Sequence, residues 1–462
     1  MSAGRLTVAS SRELGTVALV AGLCGTYAAV LVTGASTLSA LGGGHAAVGA
    51  ILTVVADVLV LIALYVGAVV IVNAVDTVVC GRLRHLALLR LLGAGSRSLR
   101  AALVRATAVV GAAGALLGIV AGTALAHLGR MVLVDRGDLP DRSYPLVSAQ
   151  LPVALAAIVA AAVGAGWVGS RAVLRASPVA ALGGAETRQP PRLHSSRRRL
   201  VTAAVFVVGG GAVLVLGALI GEASPLGFLL AFLGAAGSST GLLVGARFVM
   251  PRVVAGLGRV LGSDTASVIA RRNAVLDPMR TTRSTMGLVI GVALVTTFAS
   301  GTSALRASVA QWETDPAQRT GAAQLLGTTS TVLVCLIVVS SVIAAVGFVS
   351  TMSLTVTQRH REIGLLRTLG LTRRQVRTMV TKEAVALSVA AVVLGVALGL
   401  VYGTLGAQSL VGVRTHGLVW GVPVPALAVI GLSALLLVLV ASLRPARRAV
   451  EVAPVEAMRL DA

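Results

Sequence analysis

The sequence predicts an all-α polytopic membrane protein of about ten transmembrane helices, and three observations carry that prediction. Several uninterrupted apolar runs approach or exceed the roughly 20 residues that cross a bilayer as a helix. Only 12% of the 462 residues are charged and 56% are hydrophobic, whereas soluble domains carry about a quarter charged residues. The arginines also alternate. With ten spans drawn, 33 of the 39 basic residues fall on one side and 6 on the other, the bias that marks the cytoplasmic face.

The alternation accounts for a net charge of +22, which in a soluble protein would suggest nucleic acid. Aromatic residues make up 3% of the chain, too few for base stacking, so no nucleic-acid partner is expected. Cys24, Cys80 and Cys335 lie in or beside spans without paired spacing, which indicates neither a disulfide framework nor a metal site. Met1 to Leu14 is a polar lead rather than a cleavable signal pattern. The single lysine, Lys382, follows Thr381 with no glycine loop before it. The phosphate-binding pattern G-x-x-x-x-G-K-[ST] is therefore missing. No nucleophile–base constellation stands out either, so no enzyme activity and no cofactor are expected within this chain.

Taken in order, span one covers about Gly15 to Gly34 behind Arg5 and Arg12, and a loop without basic residues leads to span two, about Ala50 to Val75. The basic stretch Gly81 to Arg100 lies inside. Span three runs from Ala106 to His127, and a charge-balanced external loop holds Arg130, Arg136 and Arg142 against Asp135, Asp138 and Asp141. Span four, Leu151 to Ser170, precedes a basic linker, Arg171 to Arg199, with Pro190-Pro191. Spans five and six, Leu200 to Ile220 and Pro225 to Val249, form a hairpin around Glu222. A basic segment, Arg252 to Arg283, precedes span seven, Thr285 to Ser303, and span eight covers Thr328 to Thr355. Span nine is Ala384 to Leu405, span ten Pro425 to Leu443, and the basic tail ends inside. Both termini are thus expected in the cytoplasm.

The chain repeats itself. L-A-L-L-R-L-L-G (Leu86 to Gly93) matches I-G-L-L-R-T-L-G (Ile363 to Gly370). The same register pairs Arg82, Arg84, Arg97 and Arg100 with Arg359, Arg361, Arg374 and Arg377, and Gly118 and Gly122 with Gly395 and Gly399. The tails R-A-S-P-V-A-A-L (Arg175 to Leu182) and E-V-A-P-V-E-A-M (Glu451 to Met458) also correspond. Three parts follow: a four-span unit over residues 1–183, a basic linker with a two-span insert over 184–250, and a second four-span unit over 251–462. Parallel repeats place both basic segments on one membrane face.

The densest charge lies in Arg359 to Arg377. As a helix, its first part gathers Ile363, Leu365, Leu366 and Leu369 on one arc, and His360, Arg361, Gly364, Arg367 and Thr368 on the other. Glu362 falls inside the apolar arc. Gly370 suits a left-handed helix stop, and Thr372 with Gln375 fits a capping box opening the next helix. The pattern alone allows an interfacial anchor on anionic head groups or a helix docked in a partner's groove.

R-x-R-E-I-G-L-L-R-T-L-G-x-x-R-R-Q-V, followed by a span and a terminal P-A-R-R-A-x-x-x-x-P-V-E-A-M-R, resembles the FtsX-like permease family. These are membrane subunits of ABC systems related to MacB and the lipoprotein-release permeases. The resemblance is strong over Val332 to Arg459, weaker over Ala50 to Leu182, and does not cover spans five and six. It implies that the second segment is a coupling helix gripping a separate ATP-binding subunit. Arg361, Glu362, Gly364, Arg367 and Gly370 match the motif, with Leu366 and Leu369 as apolar contacts. In the first repeat the matching positions are Arg84, His85, Leu89, Arg90 and Gly93. His85 replaces the glutamate, which implies an unequal pair of grips, and the large extracytoplasmic domain of MacB-like members is absent.

The implied function is the permease subunit of an ABC transporter in a bacterial cell membrane. One two-repeat chain would serve an ATPase dimer that holds the ATP and magnesium. Export or mechanotransmission of a lipid-like, peptide or other amphipathic substrate follows. A non-transporting membrane regulator and a secondary transporter are the alternatives. Two further features stand out. Gly114, Gly118 and Gly122, and Gly395, Gly399 and Gly403, form ridges that let helices approach closely. Asp57 is the one acidic residue well inside a span, a candidate intramembrane polar site.

Overall fold

The computed structural model describes residues 11–41, 46–81, 95–137, 148–175, 193–224, 226–257, 278–310, 370, 372–411, 419–429 and 431–433, with isolated residues at 268, 272, 276 and 327. Among the described residues there are eight helices long and apolar enough to cross a membrane. They are α1 (Ser11–Leu41), α2 (Ala46–Gly81), α3 (Ser96–Asp135), α4 (Leu151–Arg175), α5 (Leu193–Ile220), α6 (Leu226–Leu257), α7 (Pro278–Ala310) and α8 (Arg373–Val411). A shorter apolar helix covers Val424–Ser433, within expected span ten. Expected span eight lies outside the described residues. The protein is an all-α, multi-pass membrane protein.

Several helices run past the expected spans. α3 begins at Ser96 and ends at Asp135, so ten residues before Ala106, and Arg130 and Asp135 beyond His127, are helical rather than loop. Forty residues rise about 60 Å, twice the roughly 30 Å hydrocarbon layer. Polar side chains cost little on helix turns outside that layer, so charge does not mark where the helix stops. For the same reason α5 begins at Leu193, and Arg197 to Arg199 belong to that helix instead of the linker. The α5–α6 turn is as short as expected, closed by the amides of Ala223 and Ser224, which both donate to the Ile220 carbonyl (2.8 and 2.9 Å).

Two compact units divide the chain. The first comprises Met1–Ser196, Ile220–Phe232 and Glu313–Val339. Its described core is a four-helix bundle in which α1 touches the other three helices and α4 also packs on α2 and α3. Of the α1 span, 67% is buried, against 28% for α3, which makes α1 the centre. Val17, Ala21, Cys24, Tyr27, Ala28 and Leu31 fill its interior. The outer face of α3 is apolar and exposed at Val109, Leu117 and Val120, as lipid-facing residues are.

The second unit comprises Arg197–Leu219, Leu233–Trp312 and Ser340–Ala462. There α7 holds the inner place, 56% buried, and packs along α8. The bodies of α5 and α6 belong to this unit. They lie so close that a Cβ on Gly210, Gly234 or Gly241 would meet the facing backbone. Ser238 on α6 and Tyr402 on α8 share a hydrogen bond of 2.8 Å between their hydroxyls.

Candidate functional site

The re-entry into α8 follows directly from local sequence. Gly370 has φ +98°, a backbone that glycine adopts without Cβ strain. Two residues later the helix opens with a reciprocal cap. The Gln375 amide donates to Thr372 Oγ1 (3.2 Å), and the Thr372 amide donates to Gln375 Oε1 (2.9 Å). The Thr372 hydroxyl also lies 3.0 Å from Gln375 Oε1. Orphan amide donors at the helix start are thereby satisfied. Arg373, Arg374 and Arg377 are exposed, while Val376 and Met379 are fully buried. This first turn therefore presents charge on one side and anchors on the other.

The repeat-related start is α3, and it begins at the equivalent position, Ser96 for Arg373. Its N-cap is Gly95, in extended geometry and with no side-chain cap. Ser98, equivalent to Gln375, turns its hydroxyl back to the Gly95 carbonyl (2.6 Å). Arg100 stacks over Trp167, 4.5 Å from the ring centroid, where its counterpart Arg377 is exposed.

Past these starts, both helices cross the central helix of their own unit on the glycine ridges. A Cβ on Gly118 would collide with the Gly22 backbone, and one on Gly122 with the Thr26 backbone (2.5 Å to its oxygen). In the second unit Gly395 would meet Val292 (2.9 Å), and Gly399 would meet Thr296. Gly22 and Val292, and Thr26 and Thr296, are each 270 positions apart. α7 is thus the counterpart of α1, a correspondence hidden from the 277-residue register of α3 and α8 by seven positions of connecting chain.

Polar groups sit at both crossings. Thr26 Oγ1 donates to the carbonyls of Gly22 (3.0 Å) and of Gly118 across the interface (3.1 Å). Thr296 is fully buried, and its hydroxyl has no partner among the described residues. Further along α7, Ser300 donates to the Gly421 carbonyl (2.6 Å) and lies 3.2 Å from the Thr404 hydroxyl. The segment around Gly421 is drawn against Ser300 and Ala304 so closely that no Cβ fits there.

Of the residues expected to grip a partner, Gly370 is described, and its backbone is left-handed. Arg361, Glu362, Gly364, Leu366, Arg367 and Leu369, and Arg84, His85, Leu89, Arg90 and Gly93, lie outside the described residues. Asp57 stands one turn inside the span that begins at Thr53, with its side chain exposed. Sequence reasoning missed Glu383, the one carboxylate buried among the described residues (6% exposed). Its spacing from Val376, Met379 and Leu387 places it on the buried arc of α8, which helical periodicity could have shown.

Two stretches of the chain, residues 58–178 and 334–454, match the FtsX-like permease C-terminal family. Together they cover just over half of the sequence, and they coincide with the two halves of the internal repeat. The chain is also similar to the macrolide export ATP-binding/permease protein MacB of Bdellovibrio bacteriovorus, 32% identical over 137 residues. That region is 29% of this chain and 20% of the relative, so the chain spans about a fifth of that protein's length.

Proposed function

From the premise that the chain belongs to the FtsX-like permease family, as the membrane-spanning permease of an ABC transporter, we propose that it couples a separate ATPase to movement of its two four-span repeats. The repeats are residues 1–183 and 251–462, flanking the 184–250 insert. MacB carries ATP binding and permease in one name, but this sequence contains no phosphate loop. We therefore assign ATP and magnesium to a partner dimer, one two-repeat chain per dimer. The arginine alternation supports both termini in the cytoplasm, and we assign the chain to a bacterial cell membrane on its near-exclusive use of arginine and its Ala, Gly and Val content.

The observation that carries this reading is the sequence R-x-R-E-I-G-L-L-R-T-L-G running straight into a left-handed Gly370 and a capped α8. A short basic helix joined by a fixed turn to a long helix would pass a push along that helix. α8 in turn lies on α7 at the glycine positions, where the side chains of Val292 and Thr296 fill the place a Cβ would take, so displacement would be handed on as a rigid-body shift. An amphipathic, lipid-like or peptide substrate moved outward, or force sent outward without transport, both suit this device. Arg361, Glu362, Gly364, Leu366, Arg367, Leu369 and Gly370 form the stronger grip, and Arg84, His85, Leu89, Arg90 and Gly93 the weaker.

Co-purification with the ATP-binding subunit tests this in wild type and in Glu362→Arg and Leu366→Asp. Association and permease-stimulated ATPase activity are expected to fall at least tenfold in both, about 1.4 kcal/mol or more of docking energy. Unchanged association in both variants sinks the coupling assignment. Substrate movement in vesicles without ATP would favour a secondary transporter.

A further inference from the structure

The α5–α6 hairpin carries a cluster of arginines that no carboxylate on either helix balances. Its register follows from close approaches. A Cβ on Gly241 would meet Val207 (2.6 Å to its amide nitrogen), and one on Gly245 would meet Ala203 (3.0 Å). Continuing this antiparallel register by one to two turns sets Arg197 to Arg199 level with Arg252 and within a turn of Arg247. The Arg199 charge accordingly acts on Arg247.

Arg252 donates to the Phe248 carbonyl of its own helix, and Arg247 lies over the Phe248 ring, 4.6 Å from the centroid. Nε and Nη2 of Arg247 are buried and have no hydrogen-bond acceptor among the described residues. Residues 193–220 and 226–257 contain no Asp or Glu. Buried guanidinium N–H groups without acceptors are costly, and five like charges at one helix-pair end repel. Both penalties are relieved by a multivalent oxyanion, for which the planar guanidinium fork is well matched.

The neighbouring surface says what carries that anion. Only 22% of the α5 span is buried, and Leu200, Val201, Val205, Phe206 and Val208 are exposed immediately beyond the arginines. The charges therefore stand where an apolar, lipid-facing wall begins, at the depth of the headgroups. We propose that the basic end of the α5–α6 hairpin is a binding site for an anionic phospholipid. Its phosphate accepts hydrogen bonds from Arg199 and Arg247, and its acyl chains lie along the exposed face of α5. The insert that sets this chain apart from a plain two-repeat permease then has a role of its own, holding one lipid against the second unit.

The test uses the full chain in mild detergent, offered phosphatidylglycerol or phosphatidylcholine, with retained lipid counted by native mass spectrometry. Phosphatidylglycerol is expected to be retained at least tenfold over phosphatidylcholine. The double variant Arg199→Gln/Arg247→Gln lowers that retention about tenfold, while Arg136→Gln, outside the hairpin, leaves it unchanged. Because Arg247 is partly buried, the exposed pair Arg198→Gln/Arg252→Gln guards against loss of fold and is expected to lower retention severalfold. Equal retention of the two lipids, or no response to either double variant, overturns the proposal. Displacement of the lipid by an excess of inorganic phosphate would also overturn it, and assign the arginines to a soluble anion instead.

Discussion

The two long helices α3 and α8 begin at equivalent positions of an internal repeat, yet they are held in different ways. α8 opens with a threonine–glutamine box that satisfies its first amides, and α3 opens on a bare glycine. Further along the order reverses. At Gly118, α3 meets the α1 backbone at Gly22, whereas at the equivalent Gly395 and at Gly399 α8 meets the side chains of Val292 and Thr296 first, and it comes backbone to backbone on α7 at Gly403. One repeat is fastened at its entry and the other at its crossing. If the chain passes motion as proposed, the capped entry would hold the start of α8 rigid, while the side-chain contacts at Gly395 and Gly399 would leave room to slide.

Glycine substitution breaks that comparison most severely. In Gly118→Ala the new Cβ overlaps the Gly22 carbonyl, carbon and Cα, none of which can turn away. α1 and α3 must separate along the axis of the first bundle. We expect a loss of about 3 kcal/mol, the upper part of the range for overpacked cores. In Gly395→Ala the Cβ meets Val292 Cβ and Cγ1 at 2.9 Å and the Val289 carbonyl at 3.0 Å, where a shift of α8 by a few tenths of an ångström gives the needed space, less than Gly118 requires. About 1 kcal/mol is expected there. Thermal unfolding of each variant in detergent ranks the two, and equal losses would show that the crossings are mechanically alike.

Exchanging the caps sharpens the same contrast at smaller scale. Thr372→Ala removes the acceptor for the Gln375 amide and is expected to cost about 1 kcal/mol. Amide exchange in the first turn of α8 would accelerate about fivefold. The converse design, Gly95→Thr with Ser98→Gln, installs the box on α3. Gly95 already has extended backbone, φ −63° and ψ 139°, so threonine enters without strain, and exchange in the first turn of α3 should slow by a few-fold. Faster exchange in that variant would mean that the Ser98–Gly95 bond matters more than the missing cap.

Much of this was legible in the sequence, for identifiable reasons. The left-handed Gly370 and the Thr372–Gln375 box are local chemistry, each set within four residues, and both are present. The glycine ridges were visible because small residues at every fourth position have one geometric use in a packed helix pair. The helix ends were not, because Ser96 to Arg105 and Leu128 to Asp135 continue α3 beyond the bilayer, where hydropathy no longer tracks helix. The partner of each ridge was also hidden. Gly22 and Val292 share no residue type, and their 270-residue spacing differs from the 277 of the helices they touch. Glu383 escaped attention because it adjoins Lys382 at a span edge, where charge is ordinary, although its register turns it inward. The segments expected as short basic helices, including Glu362 and His85, lie outside the described residues.

The smallest expected difference concerns Thr26 and Thr296, which occupy the same place in the two crossings. Thr26 reaches across to the Gly118 carbonyl, and such interhelical bonds within membranes contribute about 0.6 kcal/mol. Thr26→Val should therefore weaken the first unit by roughly that amount. Thr296 is more deeply buried than Thr26, but its hydroxyl finds no acceptor among the described residues. Valine is close to threonine in shape and carries no group to satisfy, so Thr296→Val should be neutral or slightly stabilising at rest. An unpaired hydroxyl on the residue that meets Gly399 has a use if α8 slides, since a carbonyl brought within reach would then accept from it. The informative measurement is thus made twice, on the isolated chain and under ATP turnover with the partner ATPase. A Thr296→Val variant that is silent in unfolding but slowed in turnover would place the moving contact in the second repeat, and silence in both would leave the two crossings as static packing.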